Sequence, residues 1–262
     1  MGIPLKNPPV YFTMAQARFN ALLNLDAYLA SIQDAMRKAD FPDFSSRKTF
    51  TLQINASERP GTLPNLGSID QFLFGNTGRT HRFILNPDSL TLQSTRYGRF
   101  EEFSARFQQG LATIHEIAKL DFTDRVGLRY LNNVVPRPDD NLDQYVARGV
   151  RGSDPPLNGE VVYSFSETFC HIGDVRLRSR VFIQQGQLAF PPDVMADGME
   201  IEKRLRENSG RHATLDVDGI VNKRVAFSRD MVGQHLRTIH EVTDAAFKSA
   251  VTDHALKAWD EQ

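Results

Sequence analysis

The feature that most constrains this chain is one segment, in which Phe100, Phe103, Phe107, Leu111, Ile114 and Ile117 recur at steps of three and four residues. That spacing predicts a long helix with an aromatic stripe along one face. Such a stripe must be buried, so the rest of the chain has to supply an apolar surface for it. Two more helices carry narrower stripes. One runs through Leu25, Tyr28, Leu29, Ile32, Ala35, Met36 and Ala39 and stops before Pro42; the other is terminal, from Arg229, with Val232, Leu236, Ile239, Thr243, Ala246 and Ala250 on one side.

Between the helices lie runs that read as strands. They are residues 8–20, residues 49–54, the pair 83–85 and 90–92 around the turn Asn86-Pro87-Asp88-Ser89, residues 125–135, 161–170, 175–185 and 215–219. Helices on sequential, hairpin-connected strands predict an α+β fold: antiparallel sheets with long amphipathic helices packed on one face. The stretch 136–159, rich in Pro, Asp, Gly and Asn, reads as a linker between an N-terminal half (1–135) and a C-terminal half (160–262) of one compact unit. Residues 55–80 and 186–211 read as irregular, the second with a short helix over 194–206. Phe72-Leu73-Phe74 inside the first is an apolar patch that either folds back or meets a partner.

Residues 111–117 and 236–242 echo one another as Leu-Ala-Thr-Ile-His-Glu-Ile and Leu-Arg-Thr-Ile-His-Glu-Val, 125 residues apart. At that spacing Leu90 matches Leu215, Leu92 matches Val217, Gln109 matches Gln234 and Phe122 matches Phe247, which predicts a duplicated strand–strand–helix unit. The alternative is two amphipathic helices sharing a chance tetrapeptide.

The length of 262 residues and the net charge of −1 fit a globular domain able to bury its own core and argue against a general binder of nucleic acid. A single cysteine, Cys170, excludes an intramolecular disulfide. The chain shows neither a signal peptide nor a long apolar run, so a cytoplasmic location is expected.

No nucleophile elbow, phosphate-cradling loop, dinucleotide fingerprint or metal motif is present, and no cofactor is expected. Cys170 and His171 are strand neighbours facing opposite ways. Asp216 and Asp218 share a strand face and could approach a cation, but no third ligand accompanies them, and acids before a glycine read as solvated turn residues. His115 and His240 would form a site only if their helices packed antiparallel; otherwise each bonds a backbone carbonyl. Arg176, Arg178 and Arg180 share one strand face and could grip a phosphate or acidic partner, or line a solvated surface. The hairpin around Ile172-Gly173-Asp174 is expected to close on three residues, pairing Phe169 with Leu177 and Phe165 with Val181 on the core side.

The opening Asn7-Pro8-Pro9-Val10-Tyr11-Phe12-Thr13 with Arg18-Phe19, then Arg129-Tyr130-Leu131-Asn132, Leu215-Asp216-Val217-Asp218, and a last helix with His240, Phe247 and Thr252, resemble a sporadically distributed bacterial family of unknown function. The resemblance implies an α+β bacterial protein of this length and brings no reaction. Sporadic occurrence is the habit of genes carried by mobile elements or defence cassettes. The expected function is a non-enzymatic binding component that works through a protein partner or a second copy, with Phe72, Phe74 and the arginine row as surfaces. The alternative is a small-molecule-binding or hydrolytic protein with a pocket between sheet and helices, lined by Phe100, Phe103, Phe107 and Tyr130.

Overall fold

A computed structural model describes residues 5–53, 65–153, 159, 161–207 and 210–261. The elements in chain order are β1 (Val10–Phe19), α1 (Leu25–Lys38), β2 (Asp43–Gln53), β3 (Asn65–Gly75), β4 (His81–Asn86), β5 (Ser89–Ser94), α2 (Phe100–Ala118), β6 (Phe122–Val134), β7 (Tyr163–Ile172), β8 (Val175–Gln185), the one-turn α3 (Lys203–Arg206), β9 (Arg211–Val221), the short β10 (Val225–Ala226), α4 (Arg229–Ala250) and α5 (Asp253–Asp260). The class is mixed, with one large antiparallel sheet. Its strand order is β2-β3-β4-β5-β1-β6-β9-β8-β7, with β10 added at β6. β1 and β6 pair at the centre over most of their length. β6 also pairs with β9, so hydrogen bonding runs unbroken through the sheet.

Alternate residues give the sheet two unlike faces. On one, Ala15, Ala17, Phe74, Phe83, Leu85, Leu90, Leu92, Val126 and Leu128 join Ile32 and Met36 of α1, Phe103, Phe107, Leu111 and Ile114 of α2, and Val232, Leu236 and Ile239 of α4 in one apolar cluster. Phe103, Phe107, Leu111 and Ile114 are all buried there, the fate their spacing predicts. Close approach of helix and sheet is marked by two glycines. A Cβ on Gly110 of α2 would come within 2.5 Å of the Phe83 ring, and one on Gly219 of β9 within 2.5 Å of Ile239.

α4 ends at Ala250, and Thr252 caps a separate α5 by accepting from the Ala255 N–H. α5 packs Ala255, Ala258 and Trp259 with Leu142, Tyr145 and Val146. Residues 136–153 of the expected linker therefore contribute to a core, through two single-turn 3₁₀ segments, Leu142–Gln144 and Arg148–Val150.

Three expectations need correction. Phe72 and Phe74 are not a docking patch: they lie in β3, 7% and 0% exposed, facing the core. The polar run Gly67-Ser68-Ile69-Asp70-Gln71 hid that strand. Of the expected 55–80 loop, residues 76–80 form the turn to β4, and residues 55–64 lie outside the described residues. The β7–β8 hairpin closes on two residues, not three, with Ile172 opposite Val175 and Gly173 in the left-handed region at φ +56° that glycine tolerates. This one-residue slip moves Phe165 and Phe169 off the core side, opposite Phe182 and Arg178, where they are 45% and 54% exposed. β7 is the sheet's edge, so little core lies beneath it to hold them. Finally, residues 194–206 form only α3 at their end. The stretch 187–205 instead crosses the sheet as a strap, packing Phe190, Val194, Met199 and Leu205 on Tyr11, Phe12 and Leu131.

Candidate functional site

The strap covers only part of the sheet's second face. It is tied down by Arg82 Nη1 to the Asp197 carbonyl at 2.8 Å, Gln93 Nε2 to the Met195 carbonyl at 3.0 Å and Tyr11 Oη to the Ala189 carbonyl at 3.0 Å. What it leaves open is a cleft of about 490 Å³. The floor comes from Met14, Gln16 and Arg18 of β1, Arg125, Gly127 and Arg129 of β6, and Asp218 and Ile220 of β9. One side is Arg176, Arg178 and Phe169 from the β7–β8 hairpin, and Asp193 of the strap forms the other.

A buried ion-pair network anchors this wall. Arg129 donates from Nε and Nη2 to the two Asp216 oxygens at 2.7 and 2.8 Å, and from Nη1 and Nη2 to Asp193 at 2.9 and 3.1 Å. Arg180 Nη2 lies 2.5 Å from Asp216 and 3.5 Å from Asp193. The Asp216 side chain is fully buried, so a carboxylate there requires these cations. Burial is the largest influence on Asp193 and works against its charge, but the hydrogen bonds from Arg129 together with the charges of Arg129 and Arg180 hold its carboxyl below the usual range. Asp216 is thus not the solvated turn acid its sequence position suggests.

The arginine row divides. Arg180 belongs to the network, with a side chain only 12% exposed. Arg178 reaches Glu167 at 3.1 Å, and Arg176 lies over the Phe169 ring at 5.4 Å. The row shares its face with Phe165, Glu167, Phe169 and His171, not with Ser164, Ser166 and Thr168, because of the hairpin slip.

Asp218 is the unusual group. It sits in register between Arg129 and Arg178. Both guanidiniums pass it by, one to Asp216 and Asp193, the other to Glu167. No described residue donates a hydrogen bond to it. Burial pushes its carboxyl above the usual range, and Asp216 adds to this, against the pull of Arg129, Arg125 and Arg178. Arg18 is neutralised by Asp124 at 2.7 Å. Arg125 and Arg176 have no ion-pair partner among the described residues. The cleft is therefore lined by two guanidiniums, Arg125 and Arg176, without an ion-pair partner among the described residues, and by one carboxylate, Asp218, to which no described residue donates.

The two histidines do not meet. His240 stacks on Phe100 with centroids 4.1 Å apart and bonds the Tyr130 hydroxyl through Nδ1 at 3.0 Å. His115 stacks on Phe227 at 4.4 Å and accepts the Leu120 N–H through Nδ1 at 3.1 Å, closing the end of α2. Phe100 and His115 lie about 22 Å apart along one helix, and His240 sits beside the first. Burial lowers the proton affinity of His240 and raises the pKa of the Tyr130 hydroxyl it meets.

Sequence reasoning named Arg176 and Arg178, weighed Asp218, and missed Arg18, Arg125, Arg129, Asp193 and Phe169. The signal was two strands with charges at alternate positions, Arg125-x-Gly127-x-Arg129 and Asp216-x-Asp218. Only the register that sets them side by side makes them a site. Among the described residues, no group of three or more His, Cys, Asp or Glu side chains is placed to hold a metal ion, and no helix is long and apolar enough to cross a membrane. No family model matches the chain, and no curated protein matches it significantly.

Proposed function

We propose that this chain is a binding protein whose strap-bordered cleft receives the anionic group of a ligand or partner. The observation that carries this is the pair of uncommitted guanidiniums, Arg125 and Arg176, on a concave surface. Guanidinium groups without counter-ions bind phosphate and carboxylate through paired, charge-assisted hydrogen bonds. The test is calorimetric titration of the purified chain with inorganic phosphate and with an acidic peptide at two salt concentrations. Binding that weakens with salt and is lost in the Arg125→Gln/Arg176→Gln variant supports the reading. No binding of any anion at low salt overturns it.

A second reading, self-association, is favoured by β7. This edge strand exposes Tyr163, Phe165, Phe169 and Ile172, and its one acidic side chain, Glu167, is engaged by Arg178. The opposite edge, β2, carries Asp43, Arg47 and Lys48, the usual protection against strand addition. A second copy pairing β7 to β7 would extend the sheet symmetrically. Sedimentation of wild type against Phe165→Lys tests this: a concentration-dependent dimer abolished by the lysine supports it, and a monomer at all concentrations sinks it.

We further infer that the molecule is two copies of one unit with all the long helices on one side of the sheet. β1 and β6 meet at the centre, β5 and β9 lie next to them, and each of the latter is followed in the chain by a long helix, directly or after a short strand. Thr113 Oγ1 donates to the Gln109 carbonyl and Thr238 Oγ1 to that of Gln234, both at 3.1 Å. Each histidine of the repeated tetrapeptide stacks on a phenylalanine at the N-terminal end of the other helix, Phe100 as the first residue of α2 and Phe227 just before α4. These paired contacts support duplication over a chance tetrapeptide.

A further inference from the structure

We infer that the ligand of the cleft is a nucleoside phosphate, with phosphate held by Arg125 and Arg176, a sugar hydroxyl or base N–H donated to Asp218, and the base laid against Phe169. This rests on the anion-binding reading above and goes beyond it in naming three recognition elements that one ligand class combines.

The first element is the guanidinium pair. Gly127 lies between Arg125 and Arg129 on β6 and leaves the floor bare of a side chain there, with no atom nearer than 3.7 Å to the place a Cβ would take. A bulky tetrahedral anion has room to settle against the strand.

The second is Asp218. A binder of simple anions gains nothing from a carboxylate in its floor, since it repels the ligand. Here Asp218 is retained between two arginines, yet receives a hydrogen bond from neither. Asp218 is half-buried, so its carboxylate, to which no described residue donates, is open to a donor carried by a ligand. A ligand that satisfies both signs must carry an anionic group and a hydrogen-bond donor on one scaffold. Phosphorylated sugars and nucleotides both do so.

The third element separates those two. Phe169 lines the cleft with about half its surface exposed, its ring held by Arg176 on one side and edge-on to His171 at 5.6 Å. A solvent-facing aromatic ring offers a stacking platform that every nucleobase can use over its full face and a bare sugar phosphate only weakly, through C–H groups. The volume of about 490 Å³ lies within the range of small-molecule sites.

The experiment is calorimetry on the full chain with inorganic phosphate, ribose 5-phosphate, the four ribonucleoside 5′-monophosphates and a short oligonucleotide. At least one mononucleotide should bind about tenfold or more tightly than ribose 5-phosphate, and ribose 5-phosphate more tightly than phosphate. Phe169→Ala should erase the gap between nucleotide and sugar phosphate. Asp218→Asn should weaken the nucleotide about tenfold while strengthening inorganic phosphate, because it removes both an acceptor of full charge and a repulsive one. Circular dichroism on each variant checks that the fold is kept. Phosphate binding with no preference for nucleotides overturns this inference and leaves the anion cleft standing. Failure of every anion to bind overturns both. An oligonucleotide that binds far more tightly than any mononucleotide, with a steep salt slope, replaces the mononucleotide by a nucleic-acid strand and overturns the inference as stated.

Discussion

The two faces of this sheet solve the burial problem in opposite ways. The helix-covered face is closed by apolar contact, with Phe74, Phe83, Leu90 and Leu92 against α1 and α2. The other face is partly covered by a strap and keeps charges inside, where Arg129 and Arg180 converge on Asp216. Apolar burial is non-directional and tolerates many neighbours. A buried ion pair demands fixed geometry and penalises any missing member. The helix side thus sets how stable the molecule is, and the strap side fixes where its charged groups point.

Substitutions can break this contrast or sharpen it. The largest loss is expected from Phe107→Ala, which removes a fully buried ring from the helix side and should cost about 3–5 kcal/mol in a denaturant melt. A loss below about 1 kcal/mol would mean that α2 is not part of the main core. Close behind comes Asp216→Ala, which leaves Arg129 and Arg180 to share the half-exposed Asp193 as their one remaining counter-ion and should cost about 3 kcal/mol. Adding Arg129→Met and Arg180→Met to it should restore much of that stability, because the charges then go together. If the triple variant is no better than the single one, the network contributes more than mutual neutralisation.

Gly219→Ala pushes a methyl into Ile239, and the expected cost is about 1–3 kcal/mol. The same change at Gly127, on the cleft floor, should cost less, since its Cβ site meets only ordinary contacts. Equal costs at the two glycines would erase the difference between the faces. The smallest effect on stability is expected from Arg125→Gln with Arg176→Gln, within about 0.5 kcal/mol, because neither guanidinium has an ion-pair partner among the described residues and the Phe169 ring beside Arg176 is half exposed. A marked fall in melting temperature would show that these arginines hold the cleft wall together.

What was legible in the sequence follows the same division. The helices declared themselves by period, because each buries one stripe: the aromatic row from Phe100 to Ile117 lies in α2 as spaced. The β4–β5 hairpin was legible from Pro87 and Asp88. β3 was not, since the polar residues before Phe72 mask its alternation. The β7–β8 register was misread because the pattern was assumed to serve a core, whereas β7 is an edge with two exposed phenylalanines. The site was the least legible part. Its members come from β1, β6, β7, β8, β9 and the strap, and charges separated by roughly ninety positions along the chain become neighbours only through strand register, as Arg129 and Asp218 do.

The strap also imposes an order of events. β8 and β9 are neighbours, and a short turn would have joined them. Instead the chain leaves Gln185, reaches across to Arg82 and Gln93, and returns to Arg211, making hydrogen bonds over separations of more than one hundred residues. Its landing surface, Phe12 of β1 beside Leu131 of β6, does not exist until the centre of the sheet has zipped together. Contacts this distant along the chain form slowly, after local ones. The strap should therefore dock late in refolding and be among the first parts to exchange its amide hydrogens in the native protein. Asp193 travels with it, so a newly made chain would complete its secondary structure before it completed the wall of its cleft.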